Sequence, residues 1–276
     1  RRIFRRRHRS SLKIVRRNIL KNIRSVNRQN FIDYLKSFRQ NSSQRGEMFI
    51  ITANSLSLFI LSFLFIFFIS QLISAIAATF FDFSAIMHYD NNYYLVERDE
   101  WYADPVKLIY SSGPVTALFL GMISIIIFSK IRNETMFFKL FFFWNYVHGF
   151  AFFFGGLLIG SLFSMGFGHA VIWSYVRDTG KLVYSMIAIV ALVGTGLLST
   201  RSILITANSY FKKIDKGNRR RFIIGQIFLP FVFGNILFFF FWFPKTSDYF
   251  QMIELAAFLL LLPILATYRA YRELYF

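Results

Sequence analysis

One histidine of this chain could do chemistry inside an apolar segment. His148 lies within residues 137–165, and Asn145 precedes it by about one helical turn. An ionisable side chain inside lipid is costly and is a functional candidate by default, as a proton relay, a metal or haem ligand, or a general base. A neutral histidine hydrogen-bonded between helices is the structural alternative. His148 and Asn145 are therefore the catalytic candidates, although the sequence leaves enzymatic activity undecided and favours a protein that is not an enzyme.

The common catalytic motifs are missing from the sequence. It contains no His-Glu-x-x-His zinc motif, no Gly-x-Ser-x-Gly nucleophile elbow and no glycine-rich nucleotide loop. It also has no cysteine, and no second histidine lies in an apolar segment. We predict no metal and no cofactor. Glu254 and Arg269 are interpreted as interfacial anchors at the two ends of the sixth apolar segment. On that interpretation no acid lies in a hydrophobic centre, which argues against a proton- or sodium-coupled transporter.

Six apolar segments predict an all-α integral membrane protein. The chain is 55% hydrophobic and contains 38 Phe. A helix crosses a hydrocarbon core of about 30 Å with about 20 residues, and the second and sixth segments are short for that length. Residues 81–113 are rich in Tyr and Trp and are expected to form a loop on the outer membrane surface. The predicted spans, within a transmembrane domain over 48–276, are 49–80, 114–131, 137–165, 182–200, 222–243 and 252–268.

Small residues recur along the third, fourth and fifth segments. In lipid, small side chains let two helices approach closely, so these segments are predicted to form a tight bundle. The glycines expected at the helix contacts are Gly149, Gly156, Gly160, Gly194 and Gly234. Polar side chains in the same segments, at Thr195, Gln226 and Asn235, leave open a small-molecule channel or transporter.

Residues 1–47 form a strongly basic tail. They hold 15 of the 32 Lys and Arg residues and only two acids. Within the tail, residues 18–38 place apolar side chains at near-helical spacing between basic ones, which predicts a basic amphipathic helix. If the N-terminus is inside, the inner segments sum to a charge of +22 and the outer ones to −4. This asymmetry predicts that both termini face the cytoplasm or matrix, in a bacterial inner membrane or a mitochondrial inner membrane.

The tail and the basic segment 212–221 are predicted to share the inner face and to bind an anionic partner. Lipid headgroups are the simplest partner, and a ribosome, its RNA or an acidic protein subunit are alternatives, because arginine clusters bind phosphate regardless of sequence. No module for sequence-specific nucleic-acid recognition is visible. The predicted partner-binding residues are Arg1, Arg2, Arg5, Arg6, Arg7, Arg9, Arg16, Arg17, Lys212, Lys213, Arg219, Arg220 and Arg221.

These features favour a non-enzymatic, multi-pass accessory subunit of a larger membrane complex. A translocation or secretion machine, a ribosome-associated complex or an energy-transducing complex would each suit a cationic docking surface. The alternatives are an intramembrane enzyme that uses His148 and Asn145, and a small-molecule channel or transporter.

Overall fold

The computed structural model describes residues 48–131, 136–174, 177–206, 223–241 and 248–267. In that part of the chain, six helices are long and apolar enough to cross a membrane, as the sequence predicts for a multi-pass membrane protein. The described residues from Ile51 onward form one compact unit. The basic tail 1–47, with its predicted amphipathic helix, lies outside the described residues, so its structure stays a prediction.

Helices account for most of the described chain, with one small β-hairpin. In chain order the elements are α1 (Met48–Thr79), β1 (Ser84–Met87), β2 (Asn92–Leu95), α2 (Ala103–Lys130), α3 (Met136–Phe150), α4 (Gly156–Phe163), α5 (Phe167–Ile172), α6 (Asp178–Thr206), α7 (Leu229–Phe241) and α8 (Asp248–Thr267). A π-helical turn, Ala151–Gly155, joins α3 to α4, and another, Ile223–Phe228, precedes α7. Spans one to six are α1, α2, α3 with α4, α6, α7 and α8, and the end that carries the two strands is called the hairpin end.

Two features at the hairpin end differ from the predictions. Helix α2 begins about three turns before the predicted start at residue 114, because Pro114 lies inside the helix instead of at its beginning. Residues 81–102 hold more regular structure than the predicted surface loop specified, since β1 and β2 pair antiparallel with Ser84 opposite Leu95 and Met87 opposite Asn92. With its true start, span two is long enough to cross the membrane without the shortfall that the sequence indicated.

The hairpin is fixed to the ends of α1 and α2. Ala78 of α1 and Ile109 of α2 are buried in a small apolar cluster that Tyr94 and Trp101 cover. The side-chain amide of Asn92 donates a hydrogen bond of 2.8 Å to the carbonyl of Gln71 in α1. The hairpin is therefore part of the packed structure at this end of the bundle.

Span three is the centre of the bundle. In its most apolar stretch 72% of residues are buried, against 28% in α2 and in α6. Helix α3 packs on α2, α4 packs on α6, and α6 packs along α8. The predicted bundle of spans three to five needs a correction for span five. That span packs on α1 and α8, where Phe231 contacts the rings of Phe59 and Phe258.

The predicted packing glycines occupy different surroundings. Gly194 has no neighbour within 4 Å of the position that a Cβ would take, so it does not bring two helices together. The close approach between α6 and α8 occurs instead at Gly196, where a Cβ would meet the carbonyl of Leu260. The other four glycines each lie against another part of the structure, where an added Cβ would meet a neighbouring residue. The neighbour is Ala117 for Gly149, Tyr249 for Gly156, Gly168 for Gly160 and Phe59 for Gly234.

Candidate functional site

His148 is paired with an acid from span six. Its Nδ1 lies 2.9 Å from Oε2 of Glu254, and the two side chains are 0% and 1% exposed. Because α8 begins at Asp248, Glu254 lies about 9 Å along the helix, inside the bundle. The interpretation of Glu254 as an interfacial anchor is therefore wrong. The prediction that no acid lies in a hydrophobic centre is also wrong, because it depended on that interpretation.

The other side of the imidazole is bonded to span one. Nε2 of His148 lies 3.1 Å from the carbonyl oxygen of Phe59. The ring is enclosed by aromatic side chains, with centroid distances of 4.5 Å to Phe59, 5.6 Å to Phe63 and 6.2 Å to Trp144. The pair thus joins α1, α3 and α8 in the apolar core.

The two hydrogen bonds determine how many protons the pair holds. A backbone carbonyl only accepts, so Nε2 of His148 must carry a proton and donate it to Phe59. The contact between Nδ1 and the carboxyl oxygen of Glu254 requires a second proton between those two atoms. With both protons present the pair has no net charge, which suits a site from which water is excluded. We call this unit the His148–Glu254 pair.

The second carboxyl oxygen indicates where the shared proton lies. Oε1 of Glu254 is buried and has no hydrogen-bond partner among the described residues. An unpartnered oxygen of a carboxylate is far more costly in an apolar interior than the carbonyl oxygen of a protonated acid. The geometry therefore favours a protonated Glu254 that donates to Nδ1 of a neutral His148.

Buried polar groups continue from the pair toward the end opposite the hairpin. The indole nitrogen of Trp144 donates to the hydroxyl of Ser55 (3.0 Å), which donates to the backbone carbonyl of Gln226 (2.6 Å). Both polar atoms of the Gln226 side chain, and Oδ1 of Asn145, are buried without a hydrogen-bond partner in the described structure. Such groups are uncommon in packed interiors and distinguish this region from the apolar core around it.

The other polar residues predicted for a pore are satisfied within their own helices. The hydroxyl of Thr195 donates to the carbonyl of Ala191 at 2.7 Å, and the amide of Asn235 donates to the carbonyl of Phe231 at 2.8 Å. Of the three predicted pore residues Thr195, Gln226 and Asn235, Gln226 is therefore the one whose side chain lacks a hydrogen-bond partner in the described structure.

A cavity of about 380 Å³ lies at the hairpin end. Phe152 and Phe250 form part of its wall, and their ring centroids are 5.8 Å apart. Phe63 contacts Phe152 at 5.8 Å and faces His148, so a layer of aromatic rings separates the cavity from the His148–Glu254 pair. The polar side chains that line the cavity include Ser70, Gln71, Tyr94, Tyr110, His169 and Tyr249. We call this space the hairpin-end cavity.

The titratable groups outside the spans that face this cavity are neutral at physiological pH. Burial lowers the pKa of His169, and burial raises the pKa of Tyr94 to about 12. Both shifts favour the uncharged form, because a partly desolvated site penalises charge.

No protein-family model, curated protein or solved structure matches this chain. Its own geometry therefore carries the functional argument. In the described part of the chain, no group of three or more His, Asp or Glu residues is placed to hold a metal ion.

The two sets of predicted site residues have different outcomes. The thirteen Arg and Lys residues predicted to bind an anionic partner, in segments 1–17 and 212–221, lie outside the described residues. His148 and Asn145 are both buried in α3, but no hydrogen bond joins them in the described structure. The functional residue that the sequence analysis missed is Glu254.

Proposed function

We propose that this protein is a membrane transporter in which the His148–Glu254 pair carries a proton. The observation that supports this is a fully buried acid and imidazole whose two hydrogen bonds require a shared proton. Ionisable side chains that face the interior of a helix bundle are typical of proton relays in pumps and transporters. Neither residue would be retained in the core for stability alone, because buried polar pairs gain little over apolar packing.

Loss of the shared proton changes the contacts between helices. If Glu254 gives up its proton, the pair carries a net negative charge in an apolar site. The remaining proton can then move from Nε2 to Nδ1 of His148, where it bonds the carboxylate of Glu254. Nε2 and the carbonyl of Phe59 are then both acceptors, so the hydrogen bond between them is lost. Protonation thus favours the α1–α3 contact seen here, and deprotonation favours another arrangement.

A local irregularity lies beside the pair. The π-helical turn Ala151–Gly155 begins three residues after His148 and connects α3 to α4. Turns of this kind occur frequently at functional sites, because the widened helix lacks the regular hydrogen-bond ladder. This turn is the natural place for span three to adjust when the pair changes its protonation state.

The orientation follows from charge. We propose that both termini face the cytoplasm or matrix of an inner membrane, because basic residues concentrate in the tail and in segment 212–221. The hairpin end and its cavity then face outward. In this transporter the His148–Glu254 pair would exchange its proton with the two sides of the membrane in turn, through another arrangement of the helices than the one seen here.

The test is proton flux in liposomes that contain the full chain. A pH gradient is imposed across the liposome membrane, and potassium with valinomycin clamps the membrane potential. A trapped pH dye reports the internal pH. We expect faster dissipation than in empty liposomes, and a return to the empty-liposome rate in Glu254→Gln. Glu97→Gln, on the exposed hairpin side, is the matched control and should behave as the native chain. Equal rates in native and empty liposomes, or in native and Glu254→Gln liposomes, would refute the proposal.

The cationic tail supports a second function, that of an accessory subunit. Fifteen Lys and Arg residues within 1–47, and a further basic cluster at 212–221, would present an anion-binding surface on one face of the membrane. Its partners would be anionic lipids together with other membrane subunits, a translocation or energy-transducing complex, or ribosomal RNA.

The accessory role is tested by gentle purification of the tagged protein at low and at raised salt, followed by analysis of bound protein, RNA and lipid. A defined complex or ribosomes should co-purify at low salt and be lost on removal of residues 1–47. A protein that carries only lipid under both conditions would exclude this role.

The intramembrane enzyme has less support. Both ring nitrogens of His148 are engaged by Glu254 and Phe59, and His148 does not line the hairpin-end cavity. A general base needs a free nitrogen within hydrogen-bond reach of its substrate.

A further inference from the structure

We propose that the hairpin-end cavity binds an uncharged organic molecule that combines a flat ring with oxygen-bearing hydrogen-bonding groups. The cavity volume of about 380 Å³ falls in the range that small-molecule sites occupy. This proposal does not depend on proton transfer by the His148–Glu254 pair, because the cavity lies on the other side of the aromatic layer.

The charge of the lining excludes ionic ligands. Among the lining residues that the structure describes, none is Asp, Glu, Lys or Arg. His169 is half-buried and, since burial disfavours its charged form, it lines the cavity as a neutral imidazole. A charged ligand would lose its hydration without gaining an opposite charge, which makes its binding unfavourable.

One hydroxyl points to a ligand that hydrogen-bonds. Ser70 lines the cavity, is 3% exposed, and its Oγ has no hydrogen-bond partner among the described residues. A serine in a helix usually bonds the carbonyl four residues earlier, as Ser57 does with Ala53 in the same helix. Ser70 makes no such bond, so its buried hydroxyl keeps an unused hydrogen-bond donor beside the cavity. Gln71 and Asn91 are two further polar residues of the same lining.

Six aromatic residues also line the cavity. Tyr94, Tyr110 and Tyr249 line it together with Phe152, Phe167 and Phe250. Ring faces pack best against flat apolar surfaces, whether the face of a sugar or an aromatic ring system. A neutral ring with hydroxyl or carbonyl groups satisfies both the ring faces and the polar groups. Such a molecule can come from water, as a glycoside does, or from the lipid phase, as a quinone does.

Calorimetric titration of the full chain in detergent tests the proposal with two matched pairs of ligands. The water-soluble pair is phenyl β-glucoside and its anionic analogue phenyl β-glucuronide. The lipid-soluble pair is menadione and lawsone, which is anionic at neutral pH. We expect one neutral member to bind and its anionic counterpart to bind at least about tenfold more weakly. Which neutral member binds identifies the source of the ligand.

Two variants locate the binding. Ser70→Ala should weaken binding of the neutral ligand by about three- to tenfold, the effect of one hydrogen bond. It should fold normally, since it removes a hydroxyl that is unpartnered in the unbound protein. Ser57→Ala, in the same helix but exposed and outside the lining, should bind as the native chain does.

Three results would overturn the proposal: no binding of either neutral ligand, equal binding of a neutral ligand and its anionic analogue, or equal affinities of the Ser70→Ala and Ser57→Ala variants. If binding fails while proton flux persists, the ligand proposal alone is wrong. If flux fails while binding persists, the transporter proposal alone is wrong.

Discussion

Removal of one member of the His148–Glu254 pair should cost more stability than removal of both. In Glu254→Leu, Nδ1 of His148 is left as a buried acceptor without a partner. In His148→Leu, the hydroxyl of the protonated Glu254 is left as a buried donor. Both side chains are almost completely buried, so no water can substitute. Each single change should therefore lower the free energy of unfolding by about 1–3 kcal/mol, the cost of one unsatisfied buried group.

The double variant His148→Leu/Glu254→Leu has no unsatisfied group at this site. Its surroundings are the rings of Phe59, Phe63 and Trp144, which accept an apolar side chain. Replacement of a buried polar pair by apolar residues of similar volume is often neutral or stabilising. The double variant should therefore unfold within about 1 kcal/mol of the native chain and should be more stable than either single variant.

Reversible unfolding in mixed micelles, with SDS as denaturant, measures the three free-energy differences in one double-mutant cycle. The expected interaction energy between the two side chains is several kcal/mol in magnitude. The free energy of unfolding of the double variant should be higher than that of either single variant. Additive losses would refute the reasoning, because they would show that the two side chains do not satisfy each other. The carboxylic C=O stretch in infrared spectra gives an independent readout. It should be present in the native chain and absent in both variants that lack Glu254, and its absence from the native chain would contradict a protonated Glu254.

Two further predictions concern packing and pH. Gly168→Ala should destabilise the protein by about 3 kcal/mol, because its Cβ would meet the backbone of the neighbouring helix, whereas Gly194→Ala, in open space, should stabilise it by about 0.5–1 kcal/mol in thermal unfolding. Burial acts to raise the pKa of Asp90, but hydrogen bonds from Tyr93 and His88 outweigh it and lower that pKa. The stability that this carboxylate gives the hairpin should be complete above the ordinary value of 3.8 and be lost as pH falls through the lowered pKa. Near-ultraviolet circular dichroism of the hairpin aromatics should show this loss, and Asp90→Asn should abolish the pH dependence.

The six spans were predictable because hydrocarbon thickness sets helix length and composition. The start of span two was not. Hydropathy falls where Asp104 and Lys107 enter the sequence, yet Val106 and Ile109 of the same helix are buried. The hairpin was missed for a related reason. Its strands are four residues long and only partly buried, so they lack a clear alternating pattern.

The candidate site was half predictable. His148 stood out because it is ionisable and lies in the middle of an apolar segment. Glu254 did not, because the apparent start of the sixth segment at residue 252 placed it at a helix end. A signal was nonetheless present in the sequence, since Phe250 and Phe258 lie four residues before and four residues after Glu254, on the same face of a helix. A buried histidine also needs a partner, and that physical requirement directs a search to acids on other spans.

The cavity and the pair are close enough to influence each other. Glu254 and Phe250 lie one turn apart on α8, so any displacement of this helix that moves the carboxyl also moves a ring of the cavity wall. On the opposite side, Phe152 lies in the π-helical turn that follows His148. A protonation change that alters the contacts of the pair would therefore reach the cavity through two elements. If the contacts of the pair and the positions of Phe152 and Phe250 are linked in this way, the linkage is reciprocal. A ligand in the cavity then changes the proton affinity of the pair by the same factor as protonation of the pair changes the affinity for the ligand.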